Sequence, residues 1–255
     1  MTDTTTGVSD VLRGVDAPAE IIETIARLAA DLAQAASGNL KGLILYGGLA
    51  RGRYRAGKSD VNIVVLLGDA STESLSIIAP ILRAAWRAAR VEPFILRVSE
   101  VPRLADVFPT KLLDIKTHRV LLMGEDPFAT VAVSREQIRL RVEQGLSNLA
   151  LRLRRRYVSI FDDPRSQATT LAEAAVGLKV ELAALLRLAG KNEPSETTSA
   201  AVLDAAALEF DLDREALASM AGLRREASQS QDLSALYNRV LVTISRATEI
   251  ISAME

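Results

Sequence analysis

The residues best suited to chemistry lie in two neighbouring runs, Leu43-Ile44-Leu45-Tyr46-Gly47-Gly48-Leu49-Ala50-Arg51-Gly52 and Asp60-Val61-Asn62-Ile63-Val64-Val65-Leu66-Leu67. Glycines without a Cβ let backbone approach an anionic oxygen closely, and a helix starting after Gly47-Gly48 can present free N–H groups to phosphate. Arg51, Arg53, Arg55 and Lys58 add positive charge beside the turn. Asp60 opens the second apolar run, and the two-residue period of a strand puts Asp60 and Asn62 on one face. Two carboxylates in such a place would seat Mg2+ through hard oxygen ligands and assist displacement at phosphorus. Asn62 offers an amide oxygen, which can coordinate a cation but brings no charge to it.

The elements that must position these groups can be read from periodicity. Apolar residues Ile21, Ile22, Ile25, Leu28, Ala29 and Leu32 recur at helical spacing from Pro18 to Ala36, ended by Ser37-Gly38. Gly42 to Tyr46 predicts a buried strand and Val61 to Leu67 a second, rich in β-branched residues. A helix is expected from Thr72 to Ala89, bent or split at Pro80, then a strand from Phe94 to Val98. Short helices are expected after Ser99 and from Pro109, with a short strand at Val120 to Met123. Beyond Phe128 the pattern becomes helical: 133–161, 167–189, 196–209, 213–228 and 233–254, punctuated by Pro164, Gly190 and Pro194. The sequence therefore predicts an α/β (α+β) domain with a small mixed sheet over 1–128 and an all-α helical bundle over 129–255.

Composition narrows the classes. With 255 residues, 49% hydrophobic and 25% charged, the chain has enough apolar material for globular cores. A net charge of −1 and 4% aromatic content argue against broad nucleic-acid binding. No run reaches the roughly 20 apolar residues of a membrane helix, and the N-terminal residues do not read as a signal peptide. The lack of cysteine excludes disulfides and thiolate chemistry and fits a cytoplasmic setting. A lone histidine, His118, reads as structural or surface-bound.

Taken together, Tyr46, Gly47-Gly48, the spacer Leu49 to Ser59, and Asp60-Val61-Asn62 running into Ile63 to Leu67 resemble the signature of the polymerase-β-type nucleotidyltransferase superfamily. The core Leu45 to Gly52 is similar to small bacterial transferases that modify antibiotics or proteins. Ala105-Asp106-Val107-Phe108-Pro109 and the words from Leu113-Asp114-Ile115-Lys116 to Gly124-Glu125-Asp126-Pro127 resemble a subgroup of bacterial transferases. The resemblance covers about the first half of the chain.

It implies transfer of a nucleoside monophosphate, AMP from ATP, to a hydroxyl on a small-molecule or protein acceptor, with Mg2+ as cofactor. Gly47, Gly48, Arg51 and Lys58 would hold the triphosphate. Asp60 would ligate metal, the family's second ligand falls on Asn62, and a third carboxylate falls nearest Glu92, with Asp69 and Glu100 as weaker alternatives. The departure at Asn62 leaves a second reading open: a catalytically impaired nucleotide-binding, regulatory or scaffold homologue. No general base is singled out; Glu143 and Glu181 in the helical half are unordered candidates.

Two further patches carry alternatives. Arg152-Leu153-Arg154-Arg155-Arg156-Tyr157 is ordinarily a solvated helix face paired with acidic neighbours; the sharper reading is a contact for an anionic substrate or RNA. The stripe Leu171, Ala175, Leu178, Leu182, Leu185 and Leu186 is core, with a homodimer seam as the alternative use.

Overall fold

The computed structural model describes residues 4–57, 59–191, 194, 198–223 and 232–254. Contacts divide the chain into two compact units, Met1–Val133 and Ser134–Glu255.

In the first unit two helices, α1 (Thr4–Leu12) and α2 (Ala19–Ala35), precede strand β1 (Leu40–Tyr46), the single turn α3 (Gly47–Ala50) and strand β2 (Val61–Leu67). Helix α4 (Thr72–Ala89) then crosses to β3 (Val91–Arg97). A 3-10 turn (Val98–Arg103) leads through α5 (Leu104–Val107) and α6 (Pro109–Thr117) to β4 (Arg119–Gly124). The sheet order is β3-β2-β1-β4. β1 runs antiparallel to both β2 and β4, whereas β2 and β3 are parallel. A parallel pair needs a crossover, and α4 supplies it.

Alternation along the strands sends side chains to two cores. Leu43, Leu45, Val61, Ile63, Val65 and Leu67 pack with α1, α2 and α4 on one face. Ile44, Tyr46, Val64, Leu66 and Leu96 face the other way, against Val101, Leu104, Leu112 and Ile115. The Val61–Leu67 strand has the expected bounds, and so does the helix Thr72–Ala89, which contains Pro80 without being divided by it. The strand expected from Phe94 begins earlier, at Val91, and includes Pro93. That proline is tolerated because β3 is an edge strand with one side free of ladder hydrogen bonds. Helix α1 was not expected from the threonine-rich start; Val8 and Leu12 anchor it in the core at 2% and 1% exposure.

The second unit consists of α7 (Arg135–Ser159), α8 (Pro164–Leu188), α9 (Ser199–Phe210), α10 (Arg214–Gly222) and α11 (Leu233–Ser252). Each starts on a side-chain cap, Ser134, Asp163, Thr198, Asp213 and Asp232 in turn, accepting from a first-turn N–H. The stripe Leu171, Ala175, Leu178, Leu182, Leu185 and Leu186 is buried inside this unit. The expected helix over 213–228 is present as far as Gly222; most of its remainder lies outside the described residues. Among the described residues no helix is long and apolar enough to cross a membrane.

Candidate active site

Strand register assembles the site. Tyr46, the last residue of β1, pairs with Asn62 on β2 and with Arg119 on β4, and Asn62 pairs with Glu92 on β3. Arg119, Tyr46, Asn62 and Glu92 thus form one row across the end of the sheet. Residues directly opposite one another in a ladder share a face, and Tyr46 places this row on the face covered by α5 and α6.

The glycine turn meets the same row. Gly47 has φ +76°, and a Cβ built there would lie 3.0 Å from Asn62 Nδ2. Glycine is needed at this point both for the left-handed backbone and for the close approach of the amide. Gly48 follows inside α3, and its carbonyl accepts from the Arg53 N–H at 2.8 Å. The turn and the start of β2 are therefore in contact.

The charged residues are placed less simply. Asp60 lies one residue before β2, where its Oδ1 accepts from Arg90 Nε at 2.7 Å. Arg90 is the left-handed C-cap of α4 (φ 50°), and its carbonyl accepts from the Val61 N–H. Arg51 forms an ion pair with Asp114 on α6, both side chains being largely shielded. Its guanidinium is thus engaged with a carboxylate. Lys58 lies outside the described residues. Arg53 and Arg55 are exposed on the same loop and make no ion pair among the described residues.

Of the acids considered for the third carboxylate, Glu92 alone stands in the row with Asn62. Asp69 is occupied elsewhere: the Ser71 and Ser74 hydroxyls donate to its Oδ2 at 2.5 and 2.6 Å, hold its pKa below the ordinary value, and secure the start of α4. Glu100 accepts from the Arg97 backbone N–H at 2.9 Å and from its guanidinium, which also lowers its pKa. Glu143 and Glu181 are engaged within the helical unit, with Arg139 and Arg141 respectively.

Lys111 on α6 is a site residue that sequence reasoning missed. Its Nζ lies 4.5 Å from the Phe94 ring centroid and 5.5 Å from that of Tyr46, within cation–π range. Partial burial lowers its pKa, opposed by the negative charge of Glu92. Tyr46 is pushed up to about 12, first by burial and then by Glu92. The row thus sets a phenol, an amide and a carboxyl side by side, with the Lys111 amine next to them. No motif marks Lys111, because only the seating of α6 on the sheet brings it there.

The oxygen-bearing side chains at this end of the sheet are the Glu92 carboxylate and the Asn62 amide, with the Asp60 carboxylate held by Arg90. All are hard oxygen donors of the kind magnesium takes. Among the described residues no three His, Cys, Asp or Glu side chains gather as a metal-holding group.

No protein-family model matches the chain, and no curated protein is similar to it in sequence. Among solved structures the chain is similar to spectinomycin adenyltransferase AAD(9) from Enterococcus faecialis, solved with ATP and spectinomycin. The TM-score is 0.56 at 15% identity, covering 88% of this chain and 98% of that one. At that identity the likeness is one of fold: an α/β nucleotidyltransferase-like unit with a small mixed sheet, followed by a helical part.

Proposed function

We propose that the protein binds ATP at the Gly47–Asn62 corner and transfers AMP to a hydroxyl group of a small-molecule acceptor. The observation that carries this reading is the 3.0 Å approach of Asn62 Nδ2 to the Cβ position of Gly47. It joins the phosphate-type turn to the strand that bears the oxygen donors. The fold likeness to an adenyltransferase solved with ATP and spectinomycin supports ATP as donor and a small molecule as acceptor.

In the reaction the acceptor oxygen forms a bond to the α-phosphorus as the bond to the bridging oxygen of pyrophosphate breaks, and pyrophosphate leaves. Gly47 and Gly48 offer the backbone surface for the phosphates. Arg53 and Arg55 are exposed cations on the same loop, and Arg51 contributes by fixing the turn to Asp114. Glu92 is exposed and makes no ion pair among the described residues, which leaves its carboxylate open to a cation, and the hydroxyl proton passes to water. Magnesium, bound through Asp60, Asn62 and Glu92, would supply charge neutralisation at the phosphates. Arg90 competes with it for Asp60.

A second reading, an impaired homologue that binds nucleotide without turning it over, is favoured by the Asp60–Arg90 pair together with Asn62. The two are separated by α-labelled ATP offered with spectinomycin and related aminocyclitols. Under the enzyme reading wild type labels an acceptor and Asn62→Asp labels it faster. Binding of ATP with no labelling by either form would select the impaired homologue.

A further inference from the structure

The basic run on α7 is solvent-exposed, as such a run ordinarily is, but among the described residues three of its arginines lack the acidic ion-pair partners that usually accompany it. Elsewhere in the helical unit arginines are matched: Arg139 with Glu136 and Glu143, Arg141 with Glu181, Arg214 with Asp204, and Arg239 with Asp213 and Glu215. Arg152, Arg155 and Arg156 make no ion pair or hydrogen bond through their guanidinium groups among the described residues. Their i, i+3, i+4 spacing sets them along one side of α7.

That side opens onto a groove of about 830 Å³ between α7 and α8. Its walls combine the three arginines and the hydroxyls of Ser159 and Thr170 with apolar Leu149, Leu153, Ala174 and Val176. Glu173 is the single acid in the lining, so the groove carries a net positive charge of about two by the ordinary ionisation of these groups. The volume falls in the range of roughly 300–1,000 Å³ typical of small-molecule pockets. Guanidinium forks are suited to bidentate contact with phosphate oxygens, and the apolar wall can cover an uncharged body.

We infer that this groove is a second binding site, for a phosphorylated small molecule carrying at least two negative charges, held by Arg152, Arg155 and Arg156. Every lining residue lies on α7 or α8, so the groove is built within the second unit alone. A strand of RNA is the competing occupant. The overall charge of −1 and the bounded volume favour the small anion.

The test is calorimetry of the full-length protein with inorganic tripolyphosphate and, separately, with a short homopolymeric RNA. Gly47→Ala, which weakens the proposed phosphate turn, should keep the tripolyphosphate site of this groove. Arg152→Ala/Arg155→Ala/Arg156→Ala should lose at least tenfold in affinity, with its circular-dichroism melting curve serving as the folding control. Glu173→Gln, which removes the only negative lining charge, should bind more tightly than wild type. Unchanged affinity in the triple variant, no binding by wild type, or weaker binding by Glu173→Gln would overturn the inference. Tighter binding of RNA than of tripolyphosphate, lost in the same triple variant, would also overturn it in favour of nucleic acid. Loss of tripolyphosphate binding in Gly47→Ala alone would assign the anion to the ATP corner instead.

Discussion

Arg90 holds the carboxylate of Asp60, Nε to Oδ1 at 2.7 Å, at the place where the resemblance puts a metal ligand. Both side chains are substantially exposed, at 52% and 39%. Such a pair contributes about 0–1 kcal/mol to stability, so its larger effect is on who shares the carboxylate. Arg90→Gln is expected to leave the melting temperature nearly unchanged and to raise the apparent affinity for magnesium in the presence of ATP severalfold. Magnesium titrations followed by calorimetry would check this; an unchanged affinity would mean that Asp60 is not a ligand.

Gly47 is the position where backbone conformation and packing demand the same residue. Gly47→Ala places a Cβ at φ +76°, a cost of roughly 1–2 kcal/mol for a left-handed non-glycine residue. It also pushes on the Asn62 amide. The expected outcome is a modestly lower melting temperature with a disproportionate loss of ATP affinity, whereas Gly52→Ala, with open space around its Cβ, should show only the backbone cost.

Gly145 on α7 makes room for Glu181 on α8: a Cβ at 145 would lie 2.2 Å from Glu181 Oε1. Gly145→Ala is expected to displace the Glu181 carboxylate, the far end of a flexible side chain, and so to destabilise by no more than about 1 kcal/mol. In a Glu181→Ala background the same change should become stabilising, because alanine exceeds glycine in helix propensity by about 1 kcal/mol. Denaturant melts of the two single variants and the double variant would measure that reversal of sign.

Glu181 also carries a pH prediction. Its side chain is 12% exposed, and burial raises its pKa, opposed by Arg141 and Arg152. A carboxyl whose folded pKa lies above its unfolded value of 4.5 favours folding most when protonated. That contribution is fully present below the unfolded pKa and is lost as pH rises through the folded one. Glu181→Gln imitates the protonated form. It should match wild type in acid below the unfolded value and be the more stable of the two at neutral pH. Equal stability at neutral pH would show that Arg141 fully offsets the burial.

Much of this site was legible because it rests on local pattern. The glycine pair and the strand Val61–Leu67 are marked by local pattern, and the two-residue period puts Asp60 and Asn62 on one face; the register sets Glu92 opposite Asn62. What the sequence did not disclose depends on elements distant in the chain. Lys111 reaches Tyr46 because α6 lies on the sheet, and Asp114 claims Arg51 for the same reason. Arg90 meets Asp60 because α4 ends in a left-handed residue. The start of β3 was obscured by Pro93, an ordinary boundary signal that an edge strand can absorb.

The central claim is that ATP is bound by the Gly47–Asn62 corner. Its most direct test is calorimetric titration of a non-hydrolysable ATP analogue with magnesium into wild type, Gly47→Ala and the Arg152/Arg155/Arg156 triple alanine variant. Saturable binding by wild type, weakened at least tenfold in Gly47→Ala and retained in the triple variant, is the predicted result. Absence of binding by wild type, or equal affinity in Gly47→Ala, would contradict it.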